Sequence, residues 1–303
     1  MMTRRGFVRR STVGAALLAA GVRAAPAAAT DLSLGFSLYG MKTLPLPRAL
    51  EECRRIGYRN VELALFAGFP TDPARLDVPT RARIRSELAA AALPVSSLLI
   101  SLSLAADAPG HARHLANLEL AARFAAEISP ASPPLIQTVL GGVPLEWEEK
   151  KDLMAGRLKE WDAVARRHGV TIAVKAHVAS AVNSPERLLW LFQAANSGNL
   201  AIAYDHSHYV LAGLSIPASF AALAPHVRFV HLKDARMDGK DVRFLLPDEG
   251  GTDYAAYFQL LRRAGFRGPC VAEVSSQIFN RAGYDPVVAA QRCHAVLAPA
   301  LRA

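Results

Sequence analysis

Thr171–His177 (TIAVKAH), Leu200–His208 (LAIAYDHSH), Val227–Ala235 (VRFVHLKDA) and Pro269–Ser275 (PCVAEVS) decide how this chain folds. Each is an apolar run of four to six residues that ends in groups able to bind metal or move protons. Helix-like segments separate them. Polar groups at the C-terminal ends of successive parallel strands converge on one face of a (β/α)8 barrel, where such residues do chemistry. One such ending would mean little, but four in series mark an active site.

Working outward from these four, the same alternation runs through the chain. Strands are expected at Leu32–Ser37, Asn60–Leu65, Val95–Leu99, Leu135–Val139, Thr171–Val174, Leu200–Tyr204, Val227–His231 and Pro269–Glu273. Helices are expected at Pro47–Ile56, Thr80–Ala92, His111–Glu127, Glu146–His168, Pro185–Ala195, Pro217–Leu223, Asp253–Ala264 and Asp285–Leu297. Short apolar strands buried on both faces are what a parallel sheet needs. Ser184-Pro185 reads as a cap with proline at the first helical position, and glycine-led turns at Gly57, Gly169 and Gly265 close helices. The long polar stretch Ala235–Gly251 is expected as a loop over the active-site face.

The first thirty residues read differently. Arg4-Arg5-Gly6-Phe7, the apolar run Val13–Ala20 and Ala27-Ala28-Ala29 follow the order of a basic region, an apolar region and a cleavage site. The arginine pair resembles a twin-arginine export signal, so residues 1–29 are expected to be a signal peptide and the periplasm the destination. The apolar run is too short to span a membrane, and no stable insertion is expected after cleavage. Residues 30–303 then form one barrel of about 270 residues, an ordinary length for this fold. Five arginines leave with the signal and the formal charge falls from +9 to +4. That is an ordinary solvated surface, and no nucleic-acid partner is inferred from it. The three cysteines have no metal-type spacing, and Cys53 and Cys270 read as core.

Read together, GVTIAVKAH, LAIAYDHSH, VRFVHLKDA and DEGGTDYAAYFQLLRRAGFRGPCVAEVS resemble the sugar isomerase/epimerase group of xylose-isomerase-like TIM barrels, with endonuclease IV a distant relative. The resemblance implies one divalent ion (manganese, zinc or magnesium) held by a glutamate, an aspartate, a histidine and a glutamate after strands five to eight. Asp205, His231 and Glu273 match the last three, and His208 matches the histidine of a D-x-x-H pattern. Glu62 sits where many members carry an acid. At strand five the chain departs: Lys175 stands where the first glutamate is expected.

A protonated lysine about 5 Å from a divalent ion would meet repulsion on the order of 6–7 kcal/mol at an effective dielectric near 20. Three arrangements follow. Lys175 is neutral beside the metal as ligand, base or nucleophile; or its ammonium replaces the metal and pairs with Asp205 and Glu273; or it points away. Glu273, Lys175 and Glu62 are the catalytic candidates, and Asp205, His208, His231 and Glu273 the candidate ligands. His177, Tyr39, Lys233 and Glu249 are candidate substrate contacts. Tyr39 would stack on a sugar ring or pack, and Lys233 would touch substrate or pair with Asp234.

The expected function is an exported enzyme that abstracts a proton beside the carbonyl of a non-phosphorylated sugar or keto-sugar, giving isomerisation or epimerisation. A lyase or hydratase acting on an oxidised sugar is the alternative, and a non-catalytic periplasmic sugar-binding barrel is the rival. The expected partner is a small carbohydrate. Related barrels often form homo-oligomers, which the resemblance therefore also implies.

Overall fold

The structure, a computed structural model, describes residues 31–303. The expected export signal lies outside the described residues. Ten strands follow in order: β1 (Ser33–Ser37), β2 (Asn60–Leu65), β3 (Val95–Ile100), β4 (Leu135–Val139), β5 (Ile172–Lys175), β6 (Leu200–Asp205), β7 (Val227–Leu232), β8 (Asp234–Asp238), β9 (Asp241–Leu245) and β10 (Pro269–Ala272). The helices are α1 (Leu46–Ile56), α2 (Val78–Ala91), α3 (Ala108–Ile128), α4 (Trp147–His168), α5 (Pro185–Ala195), α6 (His206–Leu211), α7 (Ile216–Leu223), α8 (Tyr254–Arg263), α9 (Ser276–Phe279) and α10 (Pro286–Arg302). Eight parallel strands close into a barrel in the order β1–β10–β7–β6–β5–β4–β3–β2. All eight lie where the sequence places them.

Period-two alternation explains the layering, because successive side chains in a strand point to opposite faces. Ala173, Ala201, Ala203, Phe229 and Val271 form a small cluster inside the barrel. Their strand neighbours Ile172, Val174, Ile202, Tyr204, Val230, Cys270 and Ala272 face outward into the large core under the helices. Small alanines inside let the strands close, and branched and aromatic residues outside bury the helices' apolar faces. Helix starts are fixed by local chemistry. Asp77, Asp107, Ser184 and Asp285 each accept a backbone N–H of the first turn, and each precedes a proline at the first or second helical position. Cys53, Cys270 and Cys293 are all free and buried. No described helix is long and apolar enough to cross a membrane.

Two segments differ from expectation. The stretch after β7 carries an antiparallel hairpin, β8–β9, instead of an irregular loop. Its turn is Gly239-Lys240, with Gly239 at φ +62°, the position that a two-residue turn of type II′ reserves for glycine. Charged residues along both strands (Asp234, Arg236, Asp238, Asp241 and Arg243) hid it from a search for apolar runs. Similarly, the residues after β6 do not continue as a loop but turn at once into α6, because the Asp205 side chain accepts the Ser207 N–H and caps it. His208 is therefore a buried helix residue.

Candidate active site at the mouth of the barrel

The inward positions that hold alanine, phenylalanine and valine lower in the barrel change character at the C-terminal ends of the strands. Two residues beyond Ala173 comes Lys175, beyond Ala203 Asp205, beyond Phe229 His231 and then Lys233, and beyond Val271 Glu273. Asp205 is paired directly with His231 in the sheet register. All five are buried, Lys175 at 3 % and Lys233 at 2 % exposure, so each charge has to be balanced by the others.

They are balanced by direct contact. Lys175 Nζ donates to Asp205 Oδ2 at 3.3 Å and to Glu273 Oε2 at 3.0 Å, and lies 3.1 Å from His231 Nδ1. Lys233 Nζ donates to the same two oxygens, at 2.5 Å and 2.9 Å. His231 Nδ1 is 2.8 Å from Glu273 Oε2, and its Nε2 is 2.9 Å from Glu62 Oε1. Glu62 in turn accepts hydroxyls from Ser37 at 2.7 Å and Ser97 at 2.5 Å, its register partners on β1 and β3. Three carboxylates, two ammonium groups and one imidazole thus make a single buried network.

Proton affinities follow from this. Burial alone would depress Lys175, but Glu273 and Asp205 outweigh it and raise its pKa above that of an ordinary lysine. Burial would raise Asp205 and Glu273. The lysines reverse this, with His208 assisting at Asp205 and His231 at Glu273, and hold both well below the usual carboxylate range. For His231, burial is outweighed by Glu62 and Glu273, and its pKa is raised. The other two histidines go the opposite way. Burial, reinforced by His208, lowers His177 to about 3, and burial lowers His208 to about 4 despite Asp205. His177 Nδ1 accepts the Ala179 N–H at 3.1 Å, so in the neutral ring the proton sits on Nε2.

Above the network opens a cleft. Lys175, Lys233, Glu273, His177 and His208 supply its polar side, and Tyr39, Phe66 and Phe244 part of its apolar side. Tyr39 packs among Phe66, Phe69 and Phe279, with ring centroids 4.9–5.5 Å away. Such aromatic faces beside charged groups suit a sugar, which has apolar C–H faces and polar edges. Asp205, His231 and Glu62 do not line the cleft; they lie beneath the lysines.

Asp205, His231 and Glu273 each place one donor atom within 4.8 Å of the others, a spacing at which three such residues hold metal ions. The donor types would accept a divalent ion, but Asp205 Oδ2 and Glu273 Oε2 each already accept from both Lys175 and Lys233. An ammonium about 4 Å from a divalent ion costs on the order of 8 kcal/mol at an effective dielectric near 20. As folded, the residues present do not fit a metal. His208, also expected as a ligand, has its Nε2 3.3 Å from Asp205 Oδ2 and its ring against His177, centroids 4.2 Å apart.

Most expected site residues meet here: Glu62, Lys175, Asp205, His208, His231 and Glu273 in or against the network, His177 and Tyr39 at the cleft. Glu249 does not. Its carboxylate accepts the Leu246 N–H and pairs with Arg292 of α10 at 2.8 Å, outside the cleft. Lys233 and Asp234 do not pair with each other, because neighbours in an extended chain point to opposite sides. Asp234 instead accepts the Tyr254 hydroxyl at 2.7 Å and the Gly250 N–H at 2.8 Å, tying down the segment after the hairpin. A side chain at Gly250 would collide with Asp234, so this close approach requires glycine. Ser37, Ser97, Phe244 and Gln277 were not anticipated. The two serines share the inward parity of Glu62's layer, but serine is too common at strand ends to be noticed without that register.

Residues 50–292 match the family model described as the xylose isomerase-like TIM barrel. The chain belongs to that family. Among curated relatives, the inosose dehydratase of Geobacillus thermodenitrificans (strain NG80-2) is 26 % identical over 161 residues, covering 48 % of this chain and 51 % of the relative. The chain thus spans about half the length of the curated relatives it matches. Among solved structures, L-ribulose 3-epimerase superposes with a TM-score of 0.72 at 18 % identity, covering 89 % of this chain and 95 % of that one. The IOLI protein, solved with a zinc atom bound, gives 0.73 at 18 % identity, covering 89 % and 98 %. At these identities the structural likeness speaks for the fold. By name, then, the similar proteins include an inosose dehydratase and an L-ribulose 3-epimerase.

Proposed function

We propose that this protein is a carbohydrate-modifying enzyme that abstracts a proton from the carbon beside the carbonyl of a non-phosphorylated sugar or keto-sugar, leading to epimerisation or isomerisation. The observation that carries this reading is the cleft-facing trio Lys175, Lys233 and Glu273: two hydrogen-bond donors and one carboxylate on a single shared set of contacts. At rest Glu273 is a weak base, because both ammonium groups and His231 hold its charge. A carbonyl oxygen entering between the lysines competes for their N–H groups. As they turn toward it, Glu273 regains basicity at the moment a C–H lies beside it. The proton passes to Glu273, the C–H electron pair forms the C=C bond of an enolate, and the carbonyl π pair moves onto the oxygen, where the two ammonium groups hold its charge. Return of the proton to the other face of the carbon gives the epimer; return to the former carbonyl carbon, with the hydroxyl proton of the first carbon passing to the enolate oxygen, gives the isomer.

A second reading is favoured by the dehydratase names among the relatives: the same enolate expels a hydroxyl from the next carbon as water. Of the described residues that line the cleft none is arginine, and both lysines are already matched by carboxylates, which supports a substrate without phosphate. The twin-arginine pattern at Arg4-Arg5 supports export to the periplasm, where sugar phosphates are scarce.

The test is solvent exchange. Purified protein is incubated with keto-sugars such as L-ribulose and inosose in D2O, and deuterium entry beside the carbonyl is followed by NMR. Exchange that disappears in Glu273→Gln supports proton abstraction, whichever product forms. Saturable binding of such sugars with no exchange in any of them would make the protein a sugar-binding barrel and overturn this reading.

A further inference from the structure

We propose that Lys175 and Lys233 are the resident cations of this site: their ammonium groups stand where a divalent ion would, and the protein holds its substrate oxygen without a metal. The argument is one of position and charge. Asp205 Oδ2 and Glu273 Oε2 each accept from both lysines, and His231 Nδ1 lies 3.1 Å from Lys175 Nζ and 2.8 Å from Glu273 Oε2. The three groups whose spacing suits an ion are therefore the three that Lys175 touches.

Depth within the barrel agrees. Lys175, Lys233 and Glu273 face the cleft, whereas Asp205 and His231 lie beneath them. A substrate in the cleft meets the ammonium groups first, above the place an ion would take on Asp205 and His231. The second lysine matters as much as the first. One ammonium beside two buried carboxylates would leave a negative charge exposed to the substrate oxygen. With Lys233 present, and Phe244 covering it at 5.1 Å from its ring centroid, the cleft presents two donors in a partly apolar wall. In formal count, the network holds the carboxylates of Glu62, Asp205 and Glu273 against the ammonium groups of Lys175 and Lys233. A divalent ion added to that set would leave a net positive charge in a buried region. The hydroxyls of Ser37 and Ser97 hold Glu62 from the other side, one on each carboxylate oxygen.

This assignment concerns which group carries the positive charge, and it stands whether the substrate is epimerised, isomerised or dehydrated. Its test needs no substrate. The full chain, with Lys175→Glu/Lys233→Met, Lys175→Met/Lys233→Met and Asp205→Asn variants, is titrated with zinc, manganese and magnesium chlorides by calorimetry. Bound metal is counted by elemental mass spectrometry after dialysis, and folding is checked by circular dichroism. The wild type should retain no stoichiometric ion. Lys175→Glu/Lys233→Met should gain roughly one ion per chain, with affinity raised on the order of a hundredfold, and lose it again on adding Asp205→Asn. If that variant does not fold, Lys175→Met/Lys233→Met supplies the reading, because removing both ammonium groups frees Asp205, His231 and Glu273, which should then bind zinc measurably. Two results would overturn the proposal: a wild type that keeps about one ion lost in Asp205→Asn, or folded double variants that bind no more metal than the wild type.

Discussion

The wall of the barrel from β1 to β4 and the wall from β5 to β10 treat buried polar groups in opposite ways. On the first, Glu62 is fixed by two short serine hydroxyls and the His231 ring, and it is shut off from the cleft. On the second, Glu273 is held by long, rotatable ammonium groups and faces the cleft. Both carboxylates touch the same imidazole, one on each ring nitrogen. The difference lies in what a substrate can take away: it cannot compete for Ser37 or Ser97, but it can compete for Lys175 and Lys233. In the proposed reaction Glu62 is thereby a positioning residue that holds His231, and Glu273 the group that exchanges a proton.

The largest effect tests that division. Glu273→Gln should lower deuterium exchange on the order of a thousandfold, the scale of a lost general base. Glu62→Gln keeps the shape and one carbonyl acceptor, and should cost only about tenfold, in kcat and not in KM. Its pH profile should shift, because the His231 charge loses one of its two carboxylate partners. Equal losses in the two variants would erase the distinction between the walls.

Next in size is a pH effect confined to the open wall. His208 is buried neutral and lowered to about 4, and the unfolded chain protonates it near the ordinary value of 6.5. A depressed folded pKa means that stability is intact above 6.5 and falls as pH drops from there toward 4. At about 1.4 kcal/mol per pH unit the loss approaches 3 kcal/mol. His177, lowered to about 3, adds to it in the same direction. Urea unfolding between pH 7.5 and 4.5 should show this slope, and His208→Gln should flatten it. A slope unchanged in His208→Gln would mean that the ring is already solvated in the folded protein, and the open wall would then be wetter than its burial indicates.

How much of this was legible in the residues divides along the same walls. The barrel was readable because both-face burial leaves apolar runs no other element needs, and each strand fell within one residue of its expected place. Lys175, Asp205, His231 and Glu273 were readable because a charge at the end of such a run has few structural excuses. Lys233 was half-read. Its parity with His231 places it inward, but its sequence neighbour Asp234 offered an easier partner. Serines 37 and 97 carry no signal of their own and acquire a role only once the sheet register sets them beside Glu62. The β8–β9 hairpin escaped because its strands are charged. Glu249 looked like a pocket residue because nothing in the sequence brings α10 and Arg292 beside it.

The smallest effect lies on the closed wall, at Gln137 of β4. Its side chain is fully buried, and among the described residues neither amide atom has a hydrogen-bond partner. Its register partners are Leu99 and Ala173, and Ala173 belongs to the apolar cluster on the barrel floor. An amide there loses its hydration and gains nothing, at a cost of about 1–3 kcal/mol. Gln137→Met keeps the length and removes both polar atoms, so the urea midpoint should rise by the equivalent of about 1 kcal/mol with an unchanged m-value. Exchange at the substrate carbon should not move, because Gln137 lies outside both the cleft and the ion network. A less stable Gln137→Met would mean that the amide is partnered in solution. The polar region of the barrel would then extend below the lysines, and the floor would belong with the mouth instead of beneath it.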